Sequence, residues 1–268
     1  AAIIFSDILM VPYGLNQKVN FIKNYGPELG SIDLKSLLSV NKENFIEKLK
    51  PIYNCLNKVK KNNLMEGKNL IGFIGAPWTL LVYMINKKSP KNEISSNFYS
   101  DEKLINEILN KLQTFLKIHI ENQIKNGADV IQIFDSWSGL ADKENLSKYI
   151  YEPTFELVNF VKSKNVPVIC FPRGIKNYKE YVEIVKPDAI CIDYEVDPNK
   201  IKKEIKIPIQ GGMNPNVLLS DNETVKKEAL KYLDIFKDHP YIFNLGHGVL
   251  PETNPMTIDY LVKLVNDY

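Results

Sequence analysis

Seven short apolar runs, separated by amphipathic stretches, constrain the fold of this chain more than any other feature of its sequence. Each run is four to six residues long, and most are rich in β-branched or aromatic side chains. Nearly continuous apolar runs of this length are typical of strands buried on both faces, as in a parallel sheet covered by helices. The predicted strands are residues 1–5, 70–74, 130–134, 166–171, 189–192, 205–209 and 241–245.

The stretches between these runs predict helices. Apolar residues recur at helical spacing over residues 101–125, and Gly127 is placed to end that helix. Ser220 and Glu223 have the spacing of a capping box, which predicts a helix from there to Phe236. Strands that alternate with helices without long linkers indicate either one (β/α)₈ barrel or one doubly wound sheet.

A single domain over residues 1–268 suits this length, because α/β barrels of about 250 residues are common. The least regular stretch, residues 12–68, is expected to hold one or two helices and an excursion above the barrel. A (β/α)₈ barrel needs one strand more than the seven runs, and Ala1 already lies in an apolar run without a polar lead-in. We therefore expect the first strand to precede residue 1.

Composition and charge exclude several classes of protein. The net charge of +2 gives no strong field for nucleic acid or for a membrane surface, so no such partner is expected. No apolar run approaches the roughly 20 residues that span a bilayer. The three cysteines form no C-x-x-C pair and are odd in number, which favours a reducing, cytoplasmic setting.

Polar and glycine residues follow the ends of all seven runs. The carboxyl ends of parallel strands meet on one face of an α/β fold, and binding groups collect there. This placement predicts a functional site, although turn chemistry accounts for part of the pattern. The residues are Ser6 and Asp7, Trp78 with Tyr83 beyond it, Asp135, Ser136 and Trp137, Arg173, Asp193 and Tyr194, Gly211 and Gly212, and His247.

Each of these residues also has a purely structural interpretation. Asp7 is as well placed to cap the following helix as to do chemistry. Tyr83 falls on a predicted helix, where an aromatic side chain usually packs, and His247 lies in a glycine-rich turn. Arg173, the only arginine in the chain, could be a surface charge, but its position at a strand end argues against that.

Motifs for cofactors and metals are absent from the sequence. No G-x-G-x-x-G follows a strand, and neither G-x-x-x-x-G-K-[ST] nor H-E-x-x-H occurs. The histidines and cysteines form no ligand pair at metal spacing, and no lysine stands alone at a strand end as a Schiff-base candidate. The sequence therefore predicts a site without metal or cofactor.

Four strings in this sequence resemble motifs of the uroporphyrinogen decarboxylase family. Residues 1–9, AAIIFSDIL, are similar to the strand that carries the family's active-site aspartate. Residues 72–84 resemble its G-F-x-G-A-P-W-T-L-x-x-Y-M signature, and residues 132–137 its Q-I-F-D-S-W motif. Residues 243–253 are similar to its closing N-L-G-H-G…P-E-T motif.

The resemblance implies a homodimeric (β/α)₈ barrel that removes the four acetate carboxyls of uroporphyrinogen without a cofactor. Asp7 would be the central carboxylate that accepts hydrogen bonds from the pyrrole N–H groups. Tyr83 and His247 would be further catalytic groups. The expected substrate-binding residues are Phe5, Ser6, Phe73, Phe134, Ser136 and Arg173.

One part of the family pattern has no match in this sequence. The family carries an arginine-rich stretch, R-Q-A-G-R, after its first barrel strand, and Arg173 is the only arginine here. We therefore expect the chain to lack that strand and its loop, which would supply most of the carboxylate binding, and to be catalytically crippled or inactive alone. Two alternatives stay open: a non-catalytic tetrapyrrole-binding fragment, and a zinc-dependent methyltransferase of the same superfamily, which would need a His-x-Cys and a distant Cys at strand ends.

Overall fold

The computed structural model describes residues 1–4, 6–23, 26–90, 93–94 and 98–268. They form two compact units, Ala1–Gly174 with Ile184–Pro187, and Ile175–Glu183 with Asp188–Tyr268. The single domain over residues 1–268 stays a prediction. Among the helices of the described ranges, none is both long and apolar enough to cross a bilayer.

The first unit contains a parallel four-stranded array with helices between its strands. Strands β1, β4, β5 and β6 pair in that order. Strands β2 and β3 pair with each other as a separate antiparallel hairpin. The elements are β1 (Ala2–Ile3), α1 (Met10–Gly14), β2 (Val19–Ile22), β3 (Gly26–Leu29), α2 (Leu34–Ser39), α3 (Lys42–Lys60), β4 (Leu70–Gly75), α4 (Pro77–Asn86), α5 (Glu102–Lys125), β5 (Val130–Asp135), α6 (Glu152–Lys162) and β6 (Val168–Pro172).

The second unit repeats the strand–helix alternation. Its strands β7, β8 and β9 pair in parallel. The elements are α7 (Tyr178–Val185), whose last residues belong to the first unit, β7 (Ala189–Ile192), α8 (Pro198–Glu204), β8 (Ile209–Gly211), α9 (Asn222–Phe236), β9 (Tyr241–Ile242) and α10 (Pro255–Asn266).

Helix α5 forms where the spacing of apolar residues predicts a helix. Asp101 caps α5 by accepting a hydrogen bond from the N–H of Leu104, and the side chains on the apolar face are buried. Gly127 follows the helix end with φ +110°, a left-handed conformation that favours glycine. The predicted helix over residues 101–125 and its glycine stop are therefore confirmed.

The predicted strand at residues 205–209 is wrong. Ile205 ends helix α8 as a buried C-cap, and β8 begins only at Ile209. Pro208 lacks the N–H that a ladder needs, which moves the start of the strand beyond it. The apolar character of Ile205 reflects packing rather than extended structure.

The predicted cap at Ser220 is also wrong by one residue. Asp221 caps α9, and its carboxylate accepts the N–H of Thr224. Both side chains are good N-caps, so residue type alone does not separate them. The excursion expected in residues 12–68 consists of the β2–β3 hairpin with helices α2 and α3.

Candidate active site

The alternation of side chains along β4, β5 and β6 places several of the candidate site residues on one side of the first unit. Phe134 is the register partner of Gly75 on one neighbour and of Phe171 on the other. Successive residues of a strand point to opposite faces. Ser136 and Arg173 lie in the turns that directly follow β5 and β6. The opposite side carries Ile131, Ile133 and Asp135, which face the helices.

Three phenylalanines form an aromatic wall on this side. The ring centroids of Phe73 and Phe134 lie 5.8 Å apart, and those of Phe134 and Phe171 lie 6.3 Å apart, both edge-to-face. Phe73 and Phe171 are buried, whereas Phe134 is half-buried. Sequence reasoning identified Phe73 and Phe134 but missed Phe171. Its signal was present, because it lies directly across from Phe134 in a predicted neighbouring strand.

A glutamine from α5 fixes the backbone of Phe73. The Gln123 amide accepts the N–H of Phe73 at 2.9 Å and donates to its carbonyl at 2.9 Å. The space for this side chain exists because residue 72 is glycine: a Cβ there would lie 2.8 Å from the Gln123 oxygen. Gln123 therefore completes the hydrogen bonding of β4 at the residue that begins the aromatic wall.

Asp7 is a half-buried carboxylate in a strained backbone position. Its φ of 66° lies in the left-handed region, which a short polar side chain tolerates better than most. Its Oδ1 accepts the N–H of Leu9 at 2.8 Å. Burial raises the pKa of the carboxyl, and the bond from Leu9 opposes this only in part. The local bond is of the capping kind, but Leu9, not Asp7, is the N-cap of α1.

Glycine at the end of β4 lets the Asp7 segment approach. A Cβ on Gly75 would lie 3.0 Å from the Cβ of Ile8 and 2.8 Å from Leu80. Contacts that short are not tolerated without a shift of the surrounding backbone. Gly75 thus allows the residues beside Asp7 to pack against the start of α4.

Tyr83 lies on helix α4, as predicted, and is close enough to Asp7 for the two side chains to interact electrostatically. Burial raises the pKa of its hydroxyl; hydrogen bonding toward Trp137 opposes this, and the negative charge of Asp7 adds to it. The rings of Tyr83 and Trp137 are 6.0 Å apart at 60°. The phenol therefore stays protonated at neutral pH and can act as a hydrogen-bond donor.

Ser136 and Arg173 are both half-buried at the ends of adjacent strands. The backbone N–H of Arg173 donates to the carbonyl of Asp135 at 3.1 Å, which ties the two strand ends together. Within the described ranges, no carboxylate pairs with the Arg173 guanidinium. Ser6 is half-buried beside Asp7, and the predicted Phe5 lies outside the described residues.

Asp135 is buried on the helix side, an arrangement that sequence reasoning missed. It is 1% exposed, and its Oδ1 accepts the hydroxyl of Thr79 at 2.6 Å. Burial raises the pKa of this carboxyl to about 7, against hydrogen bonds from the hydroxyl and backbone N–H of Thr79. Its backbone carbonyl accepts the hydroxyl of Ser138 at 2.9 Å, and that hydroxyl also lies 2.9 Å from the Arg173 carbonyl.

In the second unit, His247 is an exposed residue in a turn built on glycines. A Cβ on Gly246 would lie 2.3 Å from the Tyr194 nitrogen, so the turn packs directly on that backbone. Gly211 and Gly212 both have positive φ, and Tyr241 and Tyr232 donate hydrogen bonds to their carbonyls at 2.7 and 2.6 Å. The carbonyls of Gly211 and Gly212 therefore already accept hydrogen bonds from tyrosine side chains of the second unit.

The described residues contain no group of three His, Cys, Asp or Glu side chains with the spacing of a metal site. Cys170 and Cys191 are buried within strands β6 and β7, as the sequence predicted. Burial raises the pKa of the Cys191 thiol to about 12, so it is a poor source of a thiolate ligand.

Comparisons with known proteins agree with the resemblance seen in the motifs. The uroporphyrinogen decarboxylase (URO-D) family model matches residues 1–268. The uroporphyrinogen decarboxylase of Rickettsia bellii is 38% identical over 274 residues, covering 100% of this chain and 80% of the relative. That of Orientia tsutsugamushi is 38% identical over 278 residues with the same coverage.

A solved structure, a methyltransferase from Methanosarcina mazei, is similar with a TM-score of 0.75 and 15% sequence identity. The match covers 100% of this chain and 80% of the methyltransferase. At that identity the likeness concerns the fold alone. With the family match, it confirms the predicted α/β fold of the TIM-barrel type. On the agreement of its motifs, its full-length match and its relatives, the chain belongs to the uroporphyrinogen decarboxylase family, a family of carboxy-lyases.

Proposed function

We propose that this chain decarboxylates the four acetate side chains of uroporphyrinogen III to methyl groups, giving coproporphyrinogen III and four molecules of CO₂. The main structural support for this activity is the environment of Asp7. Its carboxylate is half-buried, its pKa is raised, and its charge acts on Tyr83. A pyrrole macrocycle offers inward-pointing N–H donors, and a single carboxylate is their natural acceptor.

The chemistry needs an electron sink, which the substrate itself can supply. Protonation of a ring carbon next to the acetate-bearing carbon makes the pyrrole cationic. The bond to the carboxylate then breaks, CO₂ leaves, and its electron pair neutralises the ring. A second proton converts the exocyclic carbon to a methyl group, and loss of the first proton restores the pyrrole. The net change for each acetate is uptake of one proton and release of one CO₂.

Asp7 suits this reaction because the positive charge appears on the ring as the reaction proceeds. A carboxylate held beneath the ring stabilises that charge more in the transition state than in the ground state, which is the condition for a rate increase. Partial burial removes water that would screen the interaction, and the raised pKa of Asp7 is a consequence of the same burial.

The aromatic wall and the polar strand ends fit the rest of the substrate. The half-buried ring of Phe134 offers apolar surface to a pyrrole. We propose that Arg173 binds an acid side chain of the substrate, since a guanidinium matches a carboxylate with two parallel hydrogen bonds. Ser136 and the protonated Tyr83 would donate further bonds. The role of His247 rests on its motif alone, as does that of Phe5 and Ser6.

We further propose that the protein is a cytoplasmic homodimer. Family resemblance supports the dimer, and the odd number of cysteines, without a C-x-x-C pair, supports a reducing compartment. Sedimentation equilibrium of the purified chain tests the first statement: a mass of twice 30.8 kDa supports it, and a mass of 30.8 kDa at micromolar concentration contradicts it.

The proposed activity is tested by anaerobic incubation with uroporphyrinogen III, oxidation of the products to porphyrins and their chromatographic separation. The expected result is a series from hepta- to tetracarboxylate porphyrins that grows with time and with enzyme. A parallel incubation without protein accounts for spontaneous loss of CO₂. Recovery of the octacarboxylate alone, from a chain whose folding is verified by circular dichroism, would contradict the proposal.

A further inference from the structure

The Thr79 hydroxyl makes two hydrogen bonds across the boundary between α4 and the end of β5. It donates to Asp135 Oδ1 at 2.6 Å and accepts the backbone N–H of Trp137 at 3.1 Å. Thr79 and Asp135 are 0% and 1% exposed, so neither bond competes with bulk water. A distance of 2.6 Å lies at the short end of the range for a hydrogen bond between a hydroxyl and an oxygen acceptor.

Helix α4 holds Trp137 by three successive contacts. Trp78 Nε1 donates to the carbonyl of Trp137 at 2.8 Å, and Thr79 binds its N–H. Tyr83 lies four residues beyond Thr79 on the same helix face and packs its ring against the Trp137 ring. Both backbone groups and the side chain of Trp137 are thus held by one helix, and Ser136 immediately precedes Trp137.

Asp135 determines which way the Thr79 hydroxyl points. A helical threonine commonly donates to the carbonyl three or four residues earlier. With Asp135 as the acceptor, the hydroxyl hydrogen points toward the strand, and an oxygen lone pair is left for Trp137. Asp135 Oδ2 is buried and has no hydrogen-bond partner among the described residues, so Oδ1 carries the contact with Thr79.

Stability alone is a weak reason to place a carboxylic acid there. A buried carboxyl with a raised pKa costs free energy when it ionises, and a neutral amide oxygen could accept the Thr79 hydroxyl equally well. The Asp135 carboxyl orients the Thr79 hydroxyl, and that hydroxyl holds the backbone N–H of Trp137. Because Ser136 directly precedes Trp137, the same contacts position the segment that carries Ser136.

We propose that Thr79 and Asp135 are a positioning pair, which fixes the Ser136–Trp137 turn against Tyr83 and so aligns the polar groups that meet the substrate. The inference rests on the decarboxylase function proposed above and adds two residues to it that act through others. Neither residue touches the substrate; Thr79 sets the geometry of Trp137, and Asp135 sets the orientation of Thr79.

The first test is kinetic and uses an isosteric substitution with a matched control. Thr79→Val keeps shape and burial but removes both hydrogen bonds, so kcat is expected to fall roughly 10- to 100-fold, the effect of an imprecisely held site, with a smaller change in KM. Thr79→Ser restores a hydroxyl and is expected to recover most of the activity. Thr154→Val is the control, because Thr154 is 1% exposed and its hydroxyl has no hydrogen-bond partner among the described residues.

The second test does not depend on activity. The chain has two tryptophans, so protein labelled with 5-fluorotryptophan gives two ¹⁹F resonances, and Trp137→Phe assigns them. Thr79→Val is expected to shift or broaden the Trp137 resonance, whereas Thr79→Ser and Thr154→Val leave it in place. If Thr79→Val does not fold, Thr79→Ala replaces it, because alanine favours helix and leaves the backbone N–H of residue 79 intact.

The outcomes separate this inference from the proposed function. A wild-type chain without turnover, but with the expected ¹⁹F pattern, would refute the function and leave the positioning pair supported. An active wild type in which Thr79→Val matches Thr154→Val in kcat and in the Trp137 resonance would overturn the positioning pair. A loss of kcat without any change at Trp137 would overturn it as well.

Discussion

When Asp135 is replaced by asparagine, the stability of the variant relative to wild type should rise as the pH rises. Burial raises the pKa of the Asp135 carboxyl from 3.8 to about 7. Between these values the unfolded chain is ionised at this position while the folded chain still holds the proton. Unfolding then releases a proton, so the free energy of unfolding falls as pH increases. Asparagine keeps an oxygen acceptor for Thr79 but has no proton to lose.

The size of the effect follows from the width of this interval. One pKa unit corresponds to about 1.4 kcal/mol, and the interval of about three units gives a difference on the order of 4 kcal/mol. Relative to wild type, Asp135→Asn should therefore gain about 1.4 kcal/mol for each pH unit above roughly pH 4, with a plateau above roughly pH 7. Below pH 4 the two proteins should respond to pH in parallel.

Urea unfolding followed by circular dichroism at several pH values between about pH 4 and pH 8 measures this difference. Other titrating groups are common to both proteins, so the difference between their stability curves isolates Asp135. Parallel curves across the whole interval would refute the reasoning, because they would mean that Asp135 is ionised in the folded protein at ordinary pH. The same variant separates stability from alignment, since it removes the charge while keeping the acceptor for Thr79.

Three further predictions concern the aromatic wall and the polar groups. Gln123→Leu leaves the N–H and the carbonyl of Phe73 without their hydrogen-bond partners. The free energy of unfolding, measured in urea, should therefore fall by about 2–4 kcal/mol. A loss below about 0.5 kcal/mol would mean that water or another group replaces the amide. Arg173→Lys should raise KM about tenfold with little change in kcat, because lysine cannot form the paired bonds of a guanidinium; steady-state kinetics with equal KM values would exclude Arg173 from carboxylate binding. Protonation of Asp7 should abolish activity. Because burial raises the pKa of Asp7, kcat/KM should fall on the acidic side at a pH above the ordinary aspartate range. A kcat/KM profile that stays flat down to about pH 4 would contradict this.

The parts of the fold that follow from local pattern were predictable, and the parts that depend on partners distant in sequence were not. Strand β5 and helix α5 were predictable because apolar periodicity, capping and length agree there. The start of β8 was missed because Ile205 is apolar for a packing reason. Residue type also could not decide between Ser220 and Asp221 as the cap of α9.

The same limit applies to the site. Asp7 and Tyr83 could be proposed as site residues from the sequence because their motifs are long and specific. Asp135 was visible only as one of several polar residues at a strand end. Nothing in the sequence indicates that it faces the helix layer and binds Thr79, which lies 56 residues earlier.

If the Asp7 carboxylate stabilises the cationic ring as CO₂ leaves, its replacement by asparagine should lower turnover sharply. The variant should be compared with wild type and with Asp267→Asn, a change at an exposed aspartate at the end of α10, in the anaerobic uroporphyrinogen III assay. Removal of one electrostatic group of this kind typically lowers kcat by roughly 10²–10³-fold. A loss of that size is expected for Asp7→Asn with a native circular dichroism spectrum, and unchanged turnover for Asp267→Asn. Equal turnover by Asp7→Asn and wild type would contradict it.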